Sequence, residues 1–197
     1  MCHSTDSRPP ALPNPGVIAR SGALELTSAD GTVFSALEAI PAEPTGVRIV
    51  LLPDIRGTHP YYQALADRFA QAGFATAAID YYGRTAGVGV RDDRFEWRRH
   101  LPSVRPDDVV ADVEAAAAHL GEGPLFTVGF CFGGGQSWRL AASDLGVSGV
   151  IGFYGLPYER QVYEGAPHSF FDATYEEWQD ACDDAWSRTL AFIGKHR

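Results

Sequence analysis

An α/β fold built on a mostly parallel sheet is predicted by three features of the sequence. From residue 47 onward, apolar runs alternate with segments of helical spacing. The apolar runs are continuous, as strands buried on both faces must be. Ahead of them, "ALELTSADGTVFSALEAI" (23–40) holds two β-prone runs around Ala29-Asp30-Gly31, a hairpin signal. The 197 residues, 45% hydrophobic and 21% charged, suffice for one well-covered core. A single domain over 17–197 is expected behind a Pro-rich arm at 1–16.

Taken in order, the hairpin forms an antiparallel edge. "VRIVLLPDI" (47–55) is the first central strand. "HPYYQALADRFAQAG" follows with Tyr62, Leu65 and Phe69 at helical spacing, and "FATAAIDYYG" is apolar again. "PDDVVADVEAAAAHLG" (106–121) opens on Pro106 and two acids, which suit a helix start. Then come the strand "PLFTVGF", a helix from about Gly133 to Leu145, and the strand "VSGVIGFYG" (147–155). In the closing segment "TYEEWQDACDDAWSRTLAFIGKHR", Trp178, Cys182, Trp186 and Phe192 share much of one helical face.

Composition excludes several classes of function. A formal charge of -9 disfavours nucleic acid, because phosphate binding needs clustered Lys and Arg. The densest basic stretch, "RDDRFEWRRH" (91–100), is interleaved with acids and reads as a solvated surface segment. No apolar run approaches the roughly 20 residues of a membrane span. "MCHSTDSRPPALPNPG" has neither the basic start nor the apolar centre of a leader, so a cytoplasmic protein is expected. Cys2, Cys131 and Cys182 are too few and scattered for a disulfide framework, in keeping with a reducing compartment. Cys2 and His3, adjacent and without a second pair, make a poor metal site and read as part of a mobile terminus.

Cys131 stands in Gly129-Phe130-Cys131-Phe132-Gly133, a GxCxG pattern where the strand gives way to the helix. This is the setting of a nucleophile elbow, whose sharp turn needs small residues two positions either side of the nucleophile. A thiol there faces the amino end of the helix, which favours the thiolate, and the Phe132 amide is offered to an oxyanion. A buried structural cysteine is the bland alternative. Both glycines and the strand-to-helix setting favour the nucleophile, whereas Cys182, on a packing face, is read as structural. Of six histidines, His3, His119 and His196 suit surface roles, His100 follows two arginines in a polar stretch, and His59 could cap or line an entrance beside Pro60. His168, in "VYEGAPHSFFD", follows a short β-like run in a loop, where α/β sheets hold their active groups.

The elbow "GFCFGG", the loop "YEGAPHSF", "LLPDIRG" after the first central strand and "AIDYYGRTAG" after the second together resemble the dienelactone hydrolase family of α/β-hydrolases. The resemblance implies a three-layer α/β-hydrolase sandwich, hydrolysis of a small ester or lactone, and no metal or organic cofactor. Cys131 would be the nucleophile and His168 its base, with the Phe132 and Ile55 amides as the oxyanion hole. Asp54 would be the carboxylate that contacts the resting thiol, in place of the usual Glu; its alternative role is to cap the helix near His59. Arg84 and Tyr82 would bind substrate, Arg84 through a carboxylate, unless it is only a surface loop charge. A second arginine, expected four residues beyond the histidine, is Asp172 here, and Arg56 could supply a cation instead.

The triad acid should follow a strand that comes after "VSGVIGFYG". From Gly155 the chain passes through only "LPYE" to the next β-like run, "RQVYEG", although a parallel crossover needs a dozen or more residues. A strand, its acid-bearing loop and a helix are therefore missing near Pro157 and Tyr158, either deleted from the protein or absent from this sequence. Asp144, Glu159 and Glu164 do not obviously repair the gap, and the triad acid stays unassigned. A catalytically impaired protein that keeps the pocket as a binding module is the competing reading.

Overall fold

The computed structural model describes residues 6–89, 91–155 and 163–196. Its strands are β1 (Ile18–Thr27), β2 (Val33–Pro41), β3 (Arg48–Leu52), β4 (Ala75–Ile79), β5 (Leu125–Phe130) and β6 (Gly149–Phe153). Its helices are α1 (Pro60–Gln71), α2 (Gly83–Ala86), α3 (Trp97–His100), α4 (Pro106–His119), α5 (Phe132–Leu140) and α6 (Gln179–His196). The strands form one sheet in the order β1-β2-β4-β3-β5-β6. The β1–β2 and β2–β4 pairs are antiparallel, and the other three pairs are parallel. This is the α/β-hydrolase sandwich with an antiparallel amino-terminal hairpin.

The continuous apolar strands explain the three layers, because each strand feeds both faces. Ile49 and Leu51 of β3 join α1 and α6 in one core, around Tyr62, Phe69 and Trp186. Val50 and Leu52 of the same strand join α4 and Leu140 of α5 in the other. Of the residues expected on one face of the terminal helix, Cys182 and Trp186 are buried. Phe192 remains 36% exposed, its ring edge-on to Phe126 at 6.1 Å.

Several expectations need correction. The helix after the elbow stops at Leu140 rather than Leu145, where the Ser143 hydroxyl donates to the Leu140 carbonyl at 2.7 Å and competes with further helix. The terminal helix starts at Gln179, which leaves Trp178, expected on its packing face, in the turn before it. In the preceding turns, the amides of Asp172 and Ala173 both donate to the Ser169 carbonyl, at 3.2 and 3.0 Å. Segment 91–100 is not wholly solvated: Arg91 is buried, donates to Asp80 at 2.8 Å, and lies 4.5 Å over the Phe95 ring. In the arm, Pro9 and Pro10 are buried, Leu12 packs on the first core, and the Gly16 amide donates to the Gln71 carbonyl at 2.8 Å. Cys2, His3, the join at Pro157 and Tyr158, and the first three residues of "RQVYEG" lie outside the described residues. Among the described residues, no helix is long and apolar enough to cross a membrane.

Candidate active site

Cys131 follows β5 directly and is the residue before α5, with φ 54° and ψ -111°. A non-glycine residue in this region is strained, and such strain persists only where the surroundings impose it. Here they do. The Cys131 amide donates to the Phe153 carbonyl of β6 at 2.9 Å, and its carbonyl accepts from the Gly135 amide at 3.2 Å. A Cβ on Gly129 would collide with the Gly133 carbonyl, and one on Gly133 with the Leu52 carbonyl. The two glycines thus let α5 close on β5 and on the end of β3. Phe132 opens α5, so its amide is among the free donors of a helix start. Cys182, by contrast, is fully buried and its Sγ donates to the Phe170 carbonyl at 3.1 Å; burial pushes its thiol up to about 12.

The loop after β3 carries the other expected amide, that of Ile55, and three tyrosines brace it. The Tyr81 hydroxyl donates to the Pro53 carbonyl at 2.7 Å. The Asp54 amide donates to the Tyr62 hydroxyl oxygen at 2.8 Å, and the Tyr82 hydroxyl donates to the Ile55 carbonyl. Tyr81 also meets Phe132 edge-on at 5.2 Å, tying this loop to the elbow. Tyr82, expected to touch substrate, is fully buried beneath the loop. Its role as a brace left no signal in the sequence, because nothing in "AIDYYG" says which way either tyrosine points.

Asp54 is fully buried. Its Oδ1 accepts from the Arg56 amide at 2.8 Å, an Asx turn, and its Oδ2 from the Arg56 guanidinium at 3.3 Å. Asp54 does not cap α1. That position is held by His59, whose Nδ1 accepts from the Tyr61 amide at 3.3 Å. His59 Nε2 lies 3.1 Å from Asp93, and Arg56 Nη1 lies 3.5 Å from the same carboxylate oxygen. Arg56 is thereby buried beside the expected oxyanion loop. Arg84 is not a loose surface charge: Nη1 donates to both Asp112 oxygens at 3.0 and 2.9 Å, and Nε donates to Asp30 at 2.9 Å. A substrate carboxylate would have to compete with these acids.

His168 is exposed, its ring 4.9 Å from that of Tyr154. It lines a cavity of about 820 Å³ along β6, together with Ile151, Phe153 and Tyr154 and with Trp138 and Thr189 from the flanking helices. Asp144 and Glu164 are exposed, and Glu159 lies outside the described residues. Asp172 is the acid that sequence reasoning undervalued. It is 2% exposed, its Oδ1 accepts from the Ala173 amide at 2.5 Å, and its Oδ2 has no hydrogen-bond partner among the described residues. Burial, reinforced by Asp54, raises its carboxyl to about 7 against the opposing Ala173 amide, Ser169 side chain and Arg56 charge.

A strained residue between strand and helix, at the carboxyl edge of a parallel sheet flanked by helices on both faces, defines an α/β-hydrolase. The profile of the dienelactone hydrolase family matches residues 34–162, and the chain belongs to that family. A carboxymethylenebutenolidase of Rhodococcus opacus is 33% identical over 150 residues, 73% of this chain and 55% of that protein. One from a Pseudomonas species is 26% identical over 150 residues, 71% of this chain and 62% of that protein. A Klebsiella pneumoniae structure provisionally assigned as a dienelactone hydrolase superposes with a TM-score of 0.64 at 20% identity, over 89% of this chain and 99% of that one, a likeness of fold. The chain spans about half to two-thirds of the length of the curated relatives it matches.

Proposed function

We propose that the protein hydrolyses a small carboxylic ester or lactone through Cys131, in the manner of the carboxymethylenebutenolidases it is related to. The observation that carries this reading is the cysteine at φ 54° between Gly129 and Gly133, with the Phe132 amide at the start of α5. His168 takes the Cys131 thiol proton, the thiolate attacks the carbonyl carbon, and the Phe132 and Ile55 amides take the oxyanion. The C–O bond breaks as His168 gives its proton to the leaving alkoxide. His168 then removes a proton from water, which attacks the thioester, releasing the acid and restoring the thiol. The steps use these protein groups and one water. The resting contact between Asp54 and the thiol belongs to this proposal, as does a cytoplasmic location, where a reducing environment keeps the thiol available.

The second reading, a binding module without turnover, is favoured by the short connection between Gly155 and Tyr163, which leaves no room for the usual strand, acid and helix. Intact-mass spectrometry after a pulse of chromogenic ester separates the two. The hydrolase gains one acyl group at Cys131 and loses it with time, releasing chromophore beyond one equivalent. A protein that never acylates, or that binds the ester without cleaving it, is the module.

A further inference from the structure

The acid at position 172 lies on the same end of the sheet as the elbow. Phe171 packs 6.0 Å from Phe130 and 4.9 Å from Phe153, the two residues that flank Cys131 through the chain and through its amide bond. The Phe171 amide donates to the Tyr154 hydroxyl oxygen at 3.0 Å, which fixes the next residue beside Tyr154. The titratable and charged groups coupled to Asp172 include Asp54 and Arg56 from the loop after β3, Tyr61 and Tyr62 from α1, Tyr154 after β6, and Cys182 from α6. Only one of these is a cation, and its guanidinium already serves Asp54 at 3.3 Å and Asp93 at 3.5 Å. Among the described residues Asp172 has no ion-pair partner, only the Ala173 amide and the Ser169 side chain to hold it, in a nearly dry setting.

We propose that Asp172 selects the charge of the substrate: a second buried carboxyl group beside the Asp54–Arg56 pair, with no ion-pair partner of its own among the described residues, makes the Cys131 site disfavour carboxylate-bearing acyl compounds and accept neutral or cationic ones. The inference rests on Cys131 as the nucleophile. A negative charge arriving at the thiol would meet Asp172 across a poorly screened interior, where Coulomb energies far exceed those in water. Because the Asp172 carboxyl titrates near neutrality, the discrimination strengthens as pH rises.

Alkylation tests this without requiring turnover. Iodoacetamide and iodoacetate both lose iodide to the Cys131 thiolate, so the ratio of their rates cancels the thiolate fraction and reports the charge of the site. The ratio is measured from pH 5.5 to 8.5 in the wild type, in His168→Gln and in Asp172→Asn, with Asp172→Ser as a second replacement should the amide fail to fold. The expected result is a wild-type preference for iodoacetamide that grows with pH, persists in His168→Gln, and falls by about fivefold or more at pH 8 when Asp172 is replaced. A ratio unchanged by either replacement of Asp172, or a pH dependence that vanishes in His168→Gln, overturns the proposal. Ester turnover with an Asp172-independent ratio defeats the charge selection alone; an Asp172-dependent ratio without turnover defeats the hydrolase reading alone.

Discussion

A thiol held at a strained strand-to-helix turn and a thiol buried among aromatic rings should differ sharply in chemistry. Iodoacetamide at neutral pH is expected to label Cys131 much faster than Cys182, whose burial keeps it protonated far above neutrality. Peptide mapping of a time course measures this, and equal rates in the folded protein would refute an activated nucleophile. Cys131→Ala should abolish esterase activity with the fold retained. The glycines are held to a different standard. Gly133→Ala drives a methyl group into the Leu52 and Pro53 carbonyls, backbone atoms that cannot swing away. The expected loss is about 3 kcal/mol or more, read from denaturant unfolding.

Among the elements, the loop after β3 is shaped from outside itself. Tyr82→Phe removes the hydroxyl that reaches the Ile55 carbonyl while leaving the buried ring in place. If the Ile55 amide serves the oxyanion, kcat for a chromogenic ester should fall about tenfold with KM nearly unchanged. A rise in KM alone would return Tyr82 to substrate binding. Arg84 divides in the same way. Removing it strands Asp112, 1% exposed, so Arg84→Ala should lose about 3 kcal/mol of stability and leave KM for carboxylate-bearing esters no more affected than for neutral ones. Intact stability with a selective rise in KM would place Arg84 on the substrate. These contrasts mark how far the sequence could be read. β3, β4 and β5 were legible because buried parallel strands leave unbroken apolar runs, and the elbow because its glycines are obligatory. The bracing tyrosines and the two-sided use of Arg91 depend on which partner faces each side chain, which local pattern does not encode. Ser169, at φ 73° and gathering the amides that follow it, likewise delayed α6 with no residue type that announces it.

Over the whole molecule, opposing titrations set the response of stability to pH. Asp172 is raised to about 7, with burial the leading cause, and Asp80 and Asp112 are raised by burial too. For such groups the folded state holds the proton more tightly than the unfolded chain, so their contribution is present in mild acid and lost as pH rises through the folded value. His59 works the other way: burial, helped by Arg56, lowers it, so its contribution is present above about 6.5 and lost as pH falls. Glu38, held down by its bond to Arg20, matters only in stronger acid, below the unfolded carboxylate range. Asp172 dominates near neutrality, its rise from an unfolded value of about 3.9 being worth on the order of 2 kcal/mol between pH 8 and 5.5. The thermal midpoint should therefore be about 5 °C higher at pH 5.5 than at pH 8. In Asp172→Asn most of that difference should disappear, with the variant more stable than the wild type at pH 8. Calorimetry at the two pH values measures both. A wild-type midpoint that falls on acidification would mean that His59 outweighs Asp172, and that the carboxyl at 172 is better solvated than its burial implies.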